Sequence, residues 1–565
     1  TTLFRSYKKM ENIKDKSNNQ KNLFDKIKSK YILQKIFGYL PKKNILEIIR
    51  YNKNIQKRLD MSINDYKEYL QIEIDIIPKP KVKVNFINIT DEYNKSFYHI
   101  YFDNDKKRIR RTYITKNEDV RKINVKIDYE IKSLNGLFKN CKYIEKINFI
   151  KCNRKDINDM SNMFFKCQSL KELNISEIKT NNVTNMSGMF NGCNNLEKLD
   201  LSNFNTNNVT NMSYLFSDCL SLNNLNILNF NTKKVIDMSN MFLYCSSLQE
   251  LNLLNFNTEN VINMSNLFKG CFRLKKLDIS NFNTEKVNNM SEIFSGCSLL
   301  EELNLVNIST NNVINMSNMF FECRSLKELN VSNFNTENVI NMSGMFDKCK
   351  LLSEINVSNF NTNNVMYLNH MFTGCVSLKE LDLSNFNTEK VLNMKFMFDG
   401  CLGLETLNIS NFKTNNVTDM CFMFHRCLCL KKLDVSNFNT QNVTDMSYMF
   451  YCCSSLKELN VSNFNTSNTI EMIFMFGKCS LLKELNLSNF NTNIVTSMKG
   501  MFDGCSSLVN LNISNFNTDN VTNMAYMFNN CSSLENLDIS HFNMSKVTNT
   551  HDMFQGCSEK LIIKK

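Results

Sequence analysis

The sequence predicts a repeat solenoid, built from short strands and short helical turns in 26-residue units, behind a small α+β cap region. Three observations predict it: a string that recurs at one spacing, an apolar pattern that no single unit can bury, and a register free of insertions. The string Met-Ser-x-Met/Leu-Phe begins at Met160, Met186, Met212 and Met238, 26 residues apart each time. The register runs on to Met524, and with degraded copies at 134–138 and 550–554 there are 17 copies. Self-similarity of this kind marks stacked units that bury their apolar faces only against one another. At roughly 4.8 Å per stacked strand the array is expected to be about 80 Å long.

Within a unit, each part has a physical reading. Leu196, Leu199 and Leu201 lie in an L-x-x-L-x-L stretch whose end alternates apolar and polar residues, as a one-face-buried strand does. Ser-Asn-Phe-Asn-Thr follows, rich in residues whose side chains bond to nearby backbone, with Phe204 as an apolar plug. Val-Thr-Asn reads as a second short extended piece. Met186, Met189, Phe190 and Cys193 stand at spacings 0, 3, 4 and 7, one apolar stripe of a short helical turn. The three prolines, Pro41, Pro78 and Pro80, all precede the array, so none removes an N–H from its ladders.

The frame L-x-x-L-x-L-S-x-F-N-T-x-x-V-T-x-M-S-x-M-F-x-x-C-x-S-L resembles the BspA-type leucine-rich repeats, surface-protein repeats also seen in mycoplasma lipoproteins. The resemblance covers residues 134 to about 560. It implies a leucine-rich-repeat fold and an adhesin that binds host or matrix proteins.

Four regions are expected: a basic arm over 1–21, a small helical segment over 22–69, a β-rich cap over 70–133 and the solenoid over 134–565. In the helical segment Ile32, Leu33, Ile36, Phe37 and Leu40 fall at helical spacing and Pro41 ends the helix. Leu46, Ile48, Ile49 and Ile55 supply a second helix. I-L-x-x-I-F-x-Y-L-P followed by a Leu/Ile-rich helix resembles the F-box, the adaptor-binding motif of ubiquitin-ligase substrate receptors. That resemblance implies docking of a Skp-type adaptor on Ile32, Leu33, Ile36, Phe37, Leu40 and Pro41, with the repeats binding substrate. The sequence departs from the motif at Lys28-Ser29, where the family has Leu-Pro, and at Tyr51 to Lys53, in place of a Cys/Trp-bearing stretch. The bland reading is a helical cap. In the β-rich region Ile72, Ile74 and Ile76 alternate, and Phe97 to Tyr113 reads as a hairpin turning near Asp103-Asn104-Asp105. Leu561, Ile562 and Ile563 read as one more strand, with an unprotected edge.

The formal net charge of +12 belongs to the start of the chain. Residues 1–60 hold 16 Lys/Arg against 5 Asp/Glu, whereas residues 134–565 hold 36 against 38. Lys dominates the basic region and no base-reading motif accompanies it, so nucleic acid is not the expected partner. There is no run of 18 apolar residues, and the first residues lack the apolar core of a signal peptide.

Of 21 cysteines, 17 stand one per unit from Cys141 to Cys557; the others are Cys152, Cys421, Cys429 and Cys452. The unit-borne cysteines lie on the apolar stripe, where free Cys packs as a small hydrophobe, so buried reduced thiols are expected rather than disulfides. The thiols, and Asn-Val-Thr and Asn-Met-Ser sequons at which a glycan would obstruct stacking, suggest a cytoplasm or export by a bacterium without such glycosylation; the family resemblance suggests a cell surface. Five histidines form no Ser/His/Asp arrangement, and no phosphate loop or zinc-protease helix is present. Cys421, His425, Cys427 and Cys429 are a metal-like cluster, but Cys427 is a repeat position and Cys421 replaces the Ser after Met. No enzyme activity, metal or cofactor is expected.

The expected binding platform is the concave strand face. Between the last two apolar strand positions stand Asn148, Asn174, Asp200, Asn226, Asn252, Asp278, Asn304, Asn330, Asn356, Asp382, Asn408, Asp434, Asn460, Asn486, Asn512 and Asp538, without exception Asn or Asp. Three residues before it the sequence varies: Lys171, Glu197, Asn223, Gln249, Lys275, Glu301. The constant polar column can stack as an amide ladder, a structural role for each residue, and the whole face with its variable neighbours suits recognition of another protein.

Overall fold

The computed structural model describes residues 24, 26–40, 42–49, 52–89 and 93–564. The basic arm over 1–21 and Pro41 lie outside the described residues. The array is a β-solenoid with two parallel ladders. In the first, the end of L-x-x-L-x-L forms strands of three residues, such as β7 (Glu172–Asn174), β8 (Lys198–Asp200) and β9 (Asn224–Asn226). Strands pair with their counterparts 26 residues on, as Leu199 does with Leu225. In the second ladder one residue per coil bridges to the next in parallel, from Ser133 through Asp159 and Asn185 to Asn549.

The predicted apolar stripe is the core. Met186, Met189, Phe190 and Cys193 are all 0 % exposed. Like residues stack on like: Phe138 and Phe164 lie 5.6 Å apart with rings 5° from parallel, and the column repeats to Phe554. One continuous core runs from Ile72 to Met553.

The turns that carry the stripe are not continuous helix. In each, two residues four apart are left-handed, as at Asn162 (φ 54°) and Lys166 (φ 57°). Every second amide then donates across to the next coil: Met160 N to Asn185 O (3.1 Å), Asn162 N to Ser187 O (2.8 Å) and Phe164 N to Met189 O (2.8 Å). A helix closes its amide bonds within itself. Here a left-handed residue in each half-turn redirects the peptide groups along the stack. The stripe stays buried while its backbone joins neighbouring coils.

Polar side chains close the corners. From Thr180 to Thr518 a buried Thr Oγ1 donates to a carbonyl of the next coil, as Thr388 does to Lys413 O (2.8 Å), and in most coils it also accepts from an amide there, as Thr388 does from Lys413 N (2.7 Å). The Asn before the plug Phe donates Nδ2 to carbonyls of the previous coil, as Asn333 does to Leu305 O (3.0 Å) and Ile308 O (2.8 Å). From Cys167 to Cys557 each repeat thiol donates to a Phe carbonyl of the preceding coil, for example Cys167 to Phe138 O (3.2 Å). All of the cysteines are free.

Before the array, among the described residues, stand four α-helices, α1 (Lys30–Gly38), α2 (Lys42–Ile49), α3 (Lys53–Leu59) and α4 (Ile63–Leu70). They share a small core of Leu33, Phe37, Leu46, Ile49, Ile55 and Tyr66. A five-stranded sheet follows, ordered β3-β5-β1-β6-β7, with β1 (Ile72–Pro78), β3 (Tyr98–Phe102), β5 (Ile123–Ile127) and β6 (Ile144–Lys151), while the short β2 (Val84–Asn85) and β4 (Tyr113–Ile114) pair with each other. β1 runs antiparallel to β6, and β6 runs parallel to β7, so this sheet covers the open edge of the first coil. Asp103 and Asn104 do form a turn, with positive φ. β3, however, takes β5 as its partner, and its backbone bridge to the 106–113 segment is the single pair Ile100 and Ile109 among the described residues. The buried Ile123, Val125 and Ile127 offer it a longer apolar partner than a local hairpin does. No helix among the described residues is long and apolar enough to cross a membrane.

Candidate binding surfaces

The Asn/Asp column lies on the outer face of the first ladder, exposed except at Asn148, Asn226 and Asn304, which are half-buried. From Asn174 to Asp538 each Oδ1 accepts the backbone N–H two residues on, at 2.9–3.4 Å. The carboxyl or amide therefore ends the strand with a local turn, which is why only Asn and Asp serve. That bond holds the Asp200 and Asp278 carboxyls below the usual carboxylate range. Asn174 Nδ2 donates to Asn148 Oδ1 at 2.8 Å, a step of an amide ladder. The Nδ2 groups of Asn330, Asn356, Asn460, Asn486 and Asn512 take no side-chain or backbone acceptor among the described residues. Charges on this face pair from coil to coil, as Lys146 with Glu172 (2.5 Å) and Lys276 with Glu302 (2.6 Å).

A second surface escaped the sequence reading. The first left-handed position of each turn, the x of Met-Ser-x-Met-Phe, is Gly or Asn at Gly188, Asn240, Asn266, Asn318, Gly344 and Gly500. Those residues bear positive φ most easily. In five successive coils the position is instead His370, Phe396, Phe422, Tyr448 and Phe474, with φ of 51–61°. Their rings are half-buried and stacked, at centroid spacings of 4.8, 4.6, 4.5 and 5.3 Å. A left-handed bulky residue costs roughly 1–2 kcal/mol, and an aromatic pair returns roughly 0.5–1.5 kcal/mol. Burial of half of each ring adds to that return, so the stack repays the strained backbone that glycine would avoid. The signal was legible as aromatic x residues in consecutive units, but its meaning needed the backbone angles. A shorter stack, His425 on Tyr451 (5.5 Å), meets the strip at a steep angle, with Phe422 and His425 5.1 Å apart and 73° from parallel.

A family model described as "Mycoplasma protein of unknown function, DUF285" matches residues 132–250, 221–328, 290–406, 377–484 and 471–561. The chain belongs to this family. No curated protein matches it. Among solved structures it is similar to a leucine-rich-repeat protein of Leptospira interrogans, 15% identical over 68% of this chain and 96% of that one, with a TM-score of 0.20. It is also similar to a leucine rich cell surface protein of Faecalibacterium prausnitzii A2-165, 14% identical over 48% of this chain and 75% of that one, with a TM-score of 0.26.

Elsewhere in this DUF285 chain the candidate residues are dispersed. Cys427 is buried with its thiol on Phe398 O, Cys421 is buried, Cys429 is exposed, and His425 Nδ1 meets Asp399 Oδ1 at 2.5 Å. Among the described residues no group of three or more His, Cys, Asp or Glu is placed to hold a metal. Of the F-box-like positions, Leu33 and Phe37 are buried in the helical core, Ile36 and Leu40 are half-buried, and Ile32 is 52 % exposed. Pro41 lies outside the described residues. Beside Ile32, Tyr31 and Tyr39 are also exposed, and Tyr31, Gln34, Lys35, Gly38 and Tyr39 line an open hollow on α1.

Proposed function

We propose that this DUF285 chain is a non-enzymatic protein-binding solenoid whose strand face is the platform. The unspent Nδ2 donors of Asn330, Asn356, Asn460, Asn486 and Asn512, in a row of otherwise closed turns, carry that reading. They present hydrogen-bond donors at a fixed spacing, beside side chains that vary from coil to coil, so a partner gains both an anchor and a code. Adhesion to other proteins at a cell surface is the form of this role we favour.

Asn→Asp is the discriminating substitution, because the column already uses Asp at Asp382 and Asp434. The triple variant Asn330→Asp, Asn356→Asp, Asn486→Asp keeps every Oδ1 acceptor and removes three donors. Photo-crosslinkers placed at Glu328 and Glu354 in the producing cell are expected to trap a protein, and the triple variant to lose the adduct at unchanged thermal midpoint. Adducts that form only from other faces, or that survive the triple variant, overturn the platform. Protease shaving of intact cells tests the surface setting: peptides released from the array support it, and retention inside the cell overturns it.

The exposed Tyr31, Ile32 and Tyr39 on α1 favour a second reading, an F-box-like substrate receptor docking a Skp-type adaptor. Its test is recovery of such an adaptor with the full chain and its loss with Ile32→Asp. No adaptor recovered sinks it.

A further inference from the structure

Where the cap sheet meets the first coils, the fold brings three separate segments to one rim. β1 ends at Pro78, opposite Ile144 of β6, and Lys79 N donates to Tyr143 O at 2.7 Å. Asn88 N donates to Leu137 O (2.8 Å), and Asn140 N to Phe165 O (2.7 Å). Residues 79–89, 133–143 and 160–170 therefore run beside one another, and none of them is Asp or Glu. They carry Lys79, Lys81, Lys139, Lys142 and Lys166, all exposed. We propose that this rim is a docking site for an acidic phospholipid bilayer, distinct from the strand face and independent of what that face binds.

The cations are unspent. None of the five has an ion pair or a side-chain hydrogen bond among the described residues, whereas lysines of the strand face pair from coil to coil. Three neighbouring carboxylates are neutralised by other partners: Glu145 by Lys171 (3.6 Å), Glu118 by Arg111, and Asp119 by Arg121 (3.5 Å). Asp159, on the second ladder, accepts from Ser161 N (2.9 Å) and Asn135 Nδ2 (3.2 Å). Asp91 and Glu92 lie outside the described residues. Along the array the rim is bounded, because the second left-handed position, Lys166 in its coil, becomes Gly192 and then Asp218. Like charges gathered without counter-charges raise the local potential, and an anionic surface is what lowers it.

The chemistry of the side chains selects the surface. The five are all lysine. An ammonium is a point charge on a flexible stem and asks no fixed geometry of its anion, whereas the arginine fork suits a placed phosphate or a base edge. Phe165 is half-buried, with Lys139 Nζ 5.4 Å and Lys166 Nζ 5.2 Å from its ring centre. Cations thus occupy the ring face that a nucleic-acid base would stack on. Tyr143, 42 % exposed beside Lys142, has an apolar body and a polar tip, the kind of side chain that settles at headgroup level. Point charges around one amphipathic ring match a layer of anionic headgroups.

The test uses the full chain and sedimentation with vesicles of phosphatidylcholine, alone or mixed with phosphatidylserine. The wild-type chain is expected to bind the mixed vesicles only, and to release them as salt rises. Residues 1–60 are basic as well, so two variants of equal charge are compared. Lys79→Gln, Lys139→Gln, Lys142→Gln and Lys166→Gln together are expected to weaken binding roughly tenfold or more. Lys234→Gln, Lys286→Gln, Lys390→Gln and Lys546→Gln, at exposed corners where each lysine bonds an Asn of the previous coil, are expected to stay within about twofold of wild type. Equal loss in both variants assigns the binding to net charge, and no loss in the first assigns it to the basic start of the chain; either overturns the proposal. So does duplex DNA bound more tightly than the mixed vesicles, or no binding of those vesicles by the wild type. The chain contains no Trp, so Tyr143→Trp supplies a single emitter at the rim with every lysine in place, which decides the matter if the first variant folds poorly. Its emission should shift to shorter wavelength on the mixed vesicles, and bound protein with unshifted emission overturns the site.

Discussion

At the residue scale the array rests on side chains that bond across coils. Thr388 is 0 % exposed and serves one carbonyl and one amide of the next coil. Thr388→Val keeps the shape and orphans both, each at a cost of about 1–3 kcal/mol. Urea titration should show the loss, and Thr418→Val on the exposed ladder should show little. The thiols supply a pH prediction. Burial pushes Cys193, Cys297 and Cys453 up to about 12 from an ordinary value near 9. Between pH 9 and pH 12 the unfolded chain releases thiol protons that the folded chain keeps. Stability therefore falls as pH rises through that window and is insensitive to these thiols below it. Alkylation at pH 8 should modify Cys429, which is exposed, and spare the ladder until the chain unfolds. Burial of the Cys and Met columns was legible because their spacing is apolar and constant. The cross-coil work of the threonines was not. Within Ser-Asn-Phe-Asn-Thr they look like any turn former, and their partners lie 25 residues away.

At the element scale the left-handed positions decide the turn. Spacings of 0, 3, 4 and 7 describe a helical stripe and equally this chain of turns, because both bury the same side chains. Only the φ values at Asn162 and Lys166 and their equivalents separate the two. Gly500→Ala is the sharpest probe: it adds strain at φ +59° and drives a Cβ into the Phe474 ring. A drop of a few degrees in thermal midpoint is expected, and Gly38→Ala, which meets nothing within 4 Å, should leave the midpoint unchanged or raise it. An unchanged midpoint for Gly500→Ala contradicts the geometry of the strip. The Asn/Asp column shows the opposite case. Its uniformity was plain in the sequence, yet the reason, an Oδ1 closing the strand end, came from the hydrogen bonds.

At the scale of the whole molecule the array is nearly one-dimensional, each coil touching chiefly its two neighbours. Deleting residues 287–312 joins Lys286 to Val313 and removes one 26-residue period. The shortened chain should fold, with cooperative unfolding near the parent's midpoint by circular dichroism. A deletion one residue shorter puts every column out of register and should fail. Equal behaviour of the two deletions contradicts a columnar core.

The sequence by itself determined the period, the columns and the face on which Asn and Asp stand, because a core that buries like against like must repeat its residues at one interval. Tertiary structure alone decided what the turns are and which side chains bond from coil to coil. It also revealed five aromatic residues as one strip. Those depend on backbone angles and on distances between residues one period apart, and neither is written in the order of the amino acids.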